Sequence, residues 1–267
     1  MSTIKGQKVL ITGGGSGIGK LMGELVLRKG ATQLVIWDIS PANIETTLKE
    51  LQPFGNVTAY QVDISDLTQI QNAAEKVKKE IGKIDILINN AGIIVGKLFH
   101  EHSTEEITRT MNINANAPMY ITQQFLSDML AQNRGHICNI ASSAGLISNP
   151  KMSVYVSSKW AILGWSDSLR IEMQQQKLNV HVTTVTPYYI STGMFDGVRS
   201  IVPILKPEKV AKKVIEGIEK NKIFVSMPWS VRFVRFGQAL MPIWLFDWFI
   251  GDVMGIYKTM QHFKGRK

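Results

Sequence analysis

Cysteine is nearly missing from this chain of 267 residues, where Cys138 stands alone. No intrachain disulfide can form. The place of Cys138 inside the apolar run from His136 to Ala141 reads as a small buried hydrophobe, suited to a reducing, cytoplasmic compartment. Histidine is scarce too, and His100, His102, His136, His181 and His262 have no metal-ligand spacing, so no metal is expected. No charge-free run is long enough to span a bilayer. The polar stretch Met1–Lys8 leads straight into the first apolar run, so neither a signal peptide nor an N-terminal anchor is expected. Repeats and low-complexity tracts are absent as well, which argues against a solenoid or a disordered chain and leaves one sizeable core.

Positive charge is what the chain has in excess, at a formal +9. From Arg199 to Lys267 thirteen Lys and Arg stand against five Asp and Glu, so nearly all the surplus lies in the last quarter. Such a field suits nucleic acid, an anionic membrane surface, an acidic substrate, or no partner at all. Nucleic acid is set aside because the cations alternate with apolar runs rather than forming a polar stripe.

Val- and Ile-rich runs recur at Lys8–Thr12, Gln33–Asp38, Asn56–Val62, Ile84–Asn89, Gly135–Ala141 and Asn179–Thr186, with helix-length segments between them. They are apolar throughout rather than alternating, as strands of a parallel sheet covered on both faces are. The β-α-β rhythm predicts an α/β, doubly wound, single-domain fold whose ligand lies at the carboxyl ends of the strands. Ser65 or Asp66 is placed to cap a helix Leu67–Ile81, Thr104 opens a long helix running towards Asn133–Gly135, and Pro207 starts another, Glu208–Lys220.

Two constellations carry chemistry. The first is Thr12-Gly13-Gly14-Gly15-Ser16-Gly17-Ile18-Gly19, a glycine turn between a strand and a helix. There the backbone can approach a pyrophosphate resting on free helix N–H groups. Asp38 ends the next strand, where a carboxylate accepts from ribose hydroxyls and repels a ribose phosphate; with no Lys or Arg in Gly13–Gly19, NAD is expected over NADP. The second is Tyr155 and Lys159, one helical turn apart on one face. A phenol ionises near about 10, and a neighbouring ammonium and an oxidised nicotinamide both favour its phenolate, making Tyr155 a general acid/base. Ser142, leaving the fifth strand, is placed to hydrogen-bond a substrate oxygen.

Together with Asp63, Asn89-Asn90-Ala91-Gly92 and Asn114, in this order and spacing, these residues resemble the short-chain dehydrogenase/reductase family over residues 5 to 225. The resemblance implies a Rossmann sheet of seven strands and a catalytic tetrad of Asn114, Ser142, Tyr155 and Lys159, with Asn114 positioning a proton-relay water. It also implies a cofactor site comprising Gly13, Ser16, Gly17, Ile18, Gly19, Asp38, Asp63, Ile64, Asn89, Ala91, Gly92, Tyr155, Lys159, Pro187, Ile190 and Thr192. Assembly as a homodimer or homotetramer through Thr104–Asn133 and Ser153–Gln176 is implied as well. Trp160 and Trp165 cannot both face the catalytic side, so one or both meet another helix or a partner chain.

One departure stands out: where the family usually has Pro-Gly, this chain has Pro187-Tyr188, which puts Tyr188, with Leu146, among the expected substrate-pocket residues. The division expected is residues 1–225 as the cofactor-binding catalytic domain and 226–267 as an apolar helical extension packed on the same domain or on a partner. The ending Gly255–Arg266 and the run Val35–Ile39 resemble the retinol and hydroxysteroid dehydrogenase branch, which implies a lipophilic alcohol or ketone. In the extension, Phe233, Phe236, Trp244, Phe246, Trp248 and Phe249 are expected to pack on the domain, close the substrate pocket or meet a second subunit. With Arg232 and Arg235, peripheral membrane contact is the other use open to them. A non-catalytic NAD(H)-binding sensor or membrane-surface scaffold is the alternative function.

Overall fold

The computed structural model describes residues 2–265, and the protein folds as one α/β domain. The apolar runs form seven parallel strands: β1 Lys8–Thr12, β2 Gln33–Asp38, β3 Val57–Gln61, β4 Ile86–Asn89, β5 Gly135–Ile140, β6 Val180–Pro187 and β7 Phe224–Met227. The sheet order β3-β2-β1-β4-β5-β6-β7 reverses direction between β1 and β4, where a crevice opens at the strands' carboxyl ends. Central strands are buried almost throughout, whereas β3, on the edge, is only half-buried.

Helices cover both faces. On one, α1 (Gly17–Arg28) and α7 (Pro207–Glu219) pack Met22, Val26, Val214 and Ile218 against the sheet. On the other lie α3 (Leu67–Glu80), α5 (Ala117–Ala131) and α6 (Ser153–Gln175), with Phe125, Ile121 and Met173 in a core around Trp37. Helix α2 (Pro41–Leu51) follows β2, capped by Ser40, and Asp66 caps α3 by accepting from Thr68 and Gln69 N–H. The long helix expected from Thr104 is instead α4 (Thr104–Met111), a π turn over Asn112–Asn116, and then α5. Trp165 joins the core, while Trp160 stands half-exposed on the outer face of α6.

Beyond β7 the chain forms a 3-10 turn (Trp229–Phe233), α8 (Val234–Leu240), α9 (Ile243–Asp247) and a π turn (Trp248–Val253). Of the six rings expected to pack, only that of Phe246 is buried; Phe233, Phe236, Trp244, Trp248 and Phe249 are exposed. These helices are so short and so shallowly seated that each offers the domain a single face. No described helix is long and apolar enough to cross a membrane.

Candidate active site

The strand ends surround a cleft of ≈ 400 Å³. At one end the glycine turn is fixed from two sides. Asn90, just after β4, donates through Nδ2 to the Thr12 carbonyl (2.9 Å) and the Gly13 carbonyl (3.2 Å), while Thr12 Oγ1 accepts from the Asn90 and Ala91 N–H groups. Asp38 Oδ2 accepts from Gly15 N–H at 2.9 Å and Oδ1 from Ser40 N–H at 3.0 Å. Gly13 and Gly17 have φ of +63° and +54°, in the left-handed region where a side chain is strained. A Cβ on Gly19 would strike the Gly13 carbonyl, and one on Gly15 would lie 2.7 Å from Asp38 Oδ2. A bare backbone wall at the N-terminus of α1 is what a pyrophosphate needs, so the residues present fit a dinucleotide.

Asp38 lines the cleft with Ile39, Ser40, Asn43, Asp63 and Ile64, a stretch without a cation. Each Asp38 oxygen holds one backbone N–H and keeps a further lone pair for a ribose hydroxyl. Asp63 also orders its own loop, Oδ1 accepting from the Ser65 N–H and hydroxyl.

At the other end Tyr155, Lys159 and Ser142 meet. Tyr155 and Lys159 share the inner face of α6, with Lys159 Nζ 5.7 Å from the Tyr155 ring centre and donating to the Ile140 carbonyl at 3.0 Å. Burial dominates both ionisations. It pushes the Tyr155 phenol up, opposed by a hydrogen bond from Ser142, and lowers Lys159 to about 8. The cation was expected to bring the phenol down; here desolvation by burial outweighs the opposing influences. Asn114 sits in the π turn, where Oδ1 accepts from Ile93 N–H (2.9 Å) and Nδ2 donates to the Ile93 carbonyl (2.8 Å) and Ser158 Oγ (3.1 Å). Its amide ties the loop after β4 to α6, close to Gly92 and Lys159.

Gly13, Ser16, Gly17, Ile18, Ala91, Gly92, Pro187, Tyr188, Ile190 and Thr192 all line the same cleft. Gly19 supports it from behind. Two expected residues lie elsewhere. Asn89 is turned into the core, donating to Thr122 Oγ1 and Asn139 Oδ1, because successive strand residues face opposite sides; Asn90 takes the cleft position. Leu146 is buried with Ile162, Leu163 and Val231, and Ile147 lines the pocket beside Ser142 instead.

That side pocket is walled by Asn149, Met152, Tyr188, Tyr189, Phe195 and Ile256. Tyr188 hydrogen-bonds Ser200 (2.8 Å) and stacks edge-on against Tyr189, which bonds Thr259 Oγ1 at 3.0 Å. The C-terminal segment is thus fastened over the pocket. Sequence reasoning missed Asn149, Phe195 and Thr259, whose roles arise from contacts between distant segments. It also missed Asn43 and Arg109 on the cleft wall.

A family model described as short chain dehydrogenase matches residues 7–201. The chain belongs to the short chain dehydrogenase family. As a short chain dehydrogenase it is an oxidoreductase acting on CH–OH groups and binds a nicotinamide cofactor. Epidermal retinol dehydrogenase 2 of Mus musculus is 36% identical over 271 residues, covering 99% of this chain and 87% of the relative. Estradiol 17-beta-dehydrogenase 11 of Pongo abelii is 34% identical over 243 residues, covering 90% and 81%. Among solved structures, a short chain dehydrogenase/reductase from Burkholderia phymatum in complex with NAD superposes with a TM-score of 0.82 at 25% identity, covering 90% of this chain and 95% of that one. A metagenomic short-chain oxidoreductase in complex with NADP gives 0.71 at 26% identity, covering 84% and 96%.

Proposed function

We propose that this short chain dehydrogenase moves a hydride between NAD(H) and a lipophilic alcohol or ketone of retinoid, steroid or long-chain type, with Tyr155 as its acid/base. The observation that carries the reading is the convergence of Tyr155, Lys159 and Ser142 at the apolar end of a dinucleotide-shaped cleft.

When bound, the nicotinamide ring takes up or returns the hydride. In alcohol oxidation the Tyr155 Oη receives the hydroxyl proton, and in ketone reduction it returns it. Ser142 holds the substrate oxygen beside that phenol. Lys159 anchors the ribose and, when protonated, stabilises the phenolate. Asn114 is a positioning residue whose amide fixes the backbone around Gly92 and Ser158. Gly13–Gly19, Asp38, Asp63–Ile64 and Ala91–Gly92, with Pro187, Ile190 and Thr192, would hold the cofactor. The carboxylate of Asp38 and the lack of a cation beside it support NAD over NADP.

Apolar walls support the substrate class: Ile93, Tyr188, Met194 and Phe195 line the main cleft together with Ser142 and Tyr155. The half-exposed Trp160 and the exposed Ile171 on α6, with Tyr120 on α5, support a homo-oligomer packed through these helices. The lone buried thiol suits a cytoplasmic, reducing setting. The functional division is a catalytic domain over 1–225 and an extension over 226–267. An absorbance screen at 340 nm with retinol, hydroxysteroids, long-chain and short secondary alcohols tests the reading. Turnover is expected with NAD well above NADP and with the lipophilic alcohols above the short ones. Cofactor binding without turnover of any of them would make the protein a sensor instead.

A further inference from the structure

The segment after β7 has two faces with opposite surroundings. Inward, Phe246, Ile250, Ile256 and Met260 share one buried cluster with Tyr155, Tyr188 and Tyr189. Outward, Phe233, Phe236 and Leu240 fall three and four residues apart on one stripe, and Trp244 and Trp248 are four apart beyond the turn at Pro242. Ile243 is 81% exposed and Trp244 70%. Ile201, 78% exposed on the loop flanking the cleft, extends the apolar surface beside Gly255. Large apolar side chains exposed in this number on one short segment mark an interaction site.

The charges identify the partner. Arg232 and Arg235 are exposed between the rings and form an ion pair with no described residue. The two acids of the segment are already engaged, Asp247 accepting from the Tyr257 hydroxyl at 2.6 Å and Asp252 lying 4.0 Å from Lys258. Seated on a neutral apolar surface, the two guanidinium groups would be desolvated without partners. An anionic lipid surface takes the rings into its headgroup–acyl boundary and the cations onto its phosphates.

We propose that the exposed surface of Trp229–Val253 seats the protein on an anionic lipid bilayer, with α8 and α9 lying flat in the interface. Resting on the lipophilic-substrate reading above, the inner face of the same segment then passes substrate from the acyl layer to Tyr155.

The test uses the full chain and vesicles of phosphatidylcholine alone or with about a third phosphatidylserine. The protein is expected to float with the anionic vesicles at low salt. Arg232→Glu/Arg235→Glu and Trp244→Ser/Trp248→Ser are each expected to cut that binding at least ~10-fold while near-UV circular dichroism is kept. Turnover of a short soluble alcohol by both variants is expected to match the parent, while turnover of a vesicle-borne long-chain alcohol falls. Protein that stays at the bottom of the gradient overturns the proposal, as does a tryptophan variant that binds as the parent does. A variant that loses its oligomeric state with flotation unchanged overturns it too, making the surface a contact between copies. Flotation without turnover of any alcohol would strike at the functional reading alone, and turnover without flotation at the docking alone.

Discussion

At the scale of single residues, burial sets the ionisation of the groups that matter. Lys159 is held near 8 by desolvation, so it carries its proton through the neutral range and gives it up as pH rises past that value. His136 shows the same force away from the cleft. It is buried on β5, hydrogen-bonded to Thr183, and depressed to about 3. The folded protein therefore keeps it neutral while the unfolded chain protonates it near about 6.5. Above that pH the group contributes no pH dependence; below it the unfolded state binds the extra proton and stability falls by on the order of 1 kcal/mol per pH unit, levelling off near about 3. Urea melts between pH 7 and 4.5 are expected to show this decline, and His136→Asn to make it shallower. Parallel lines for the two proteins would contradict the assignment.

At the scale of elements, the glycine turn and α1 stand or fall together. Gly19→Ala drives a methyl into the Gly13 carbonyl, whereas the same change at Gly237, inside α8, meets only the Phe246 ring at an ordinary contact distance of 3.5 Å. Gly19→Ala is expected to cost about 1–3 kcal/mol and to weaken cofactor binding, and Gly237→Ala to gain about 0.5–1 kcal/mol, by denaturant melts and NADH titration. Equal effects at the two positions would sink the close-approach argument. Strand positions were legible to within two residues at either end because buried parallel strands leave unbroken Val and Ile runs. β7 was implied as a seventh strand but not located, since Phe224–Met227 is four residues long and half alternating. The π turn at Asn112–Asn116 was illegible for another reason. It stands where Asn114 bonds Ile93 and Ser158, across 21 and 44 positions of sequence, which helical periodicity does not register.

At the scale of the whole molecule, the fold gathers the ends of β1 to β6 around one cleft and then packs the segment from Phe246 to Phe263 against its apolar end. The motifs at Gly13–Gly19, Asp38 and Tyr155–Lys159 could be read because each carries its chemistry within a few positions. The side pocket beside Ser142 could not, because Asn149, Tyr189 and Thr259 meet only after folding, and the burial of Leu146, with Ile147 on the pocket wall, is likewise set by contacts between distant segments. The proposed function converges on one phenol, Tyr155, as the group that exchanges a proton with the substrate. The direct test is Tyr155→Phe, measured by steady-state turnover and by NADH fluorescence titration on the same preparation. Turnover is expected to fall by about 10²–10⁴-fold with cofactor affinity held within about threefold, since only the proton-carrying oxygen is removed. Full turnover in Tyr155→Phe would contradict the account.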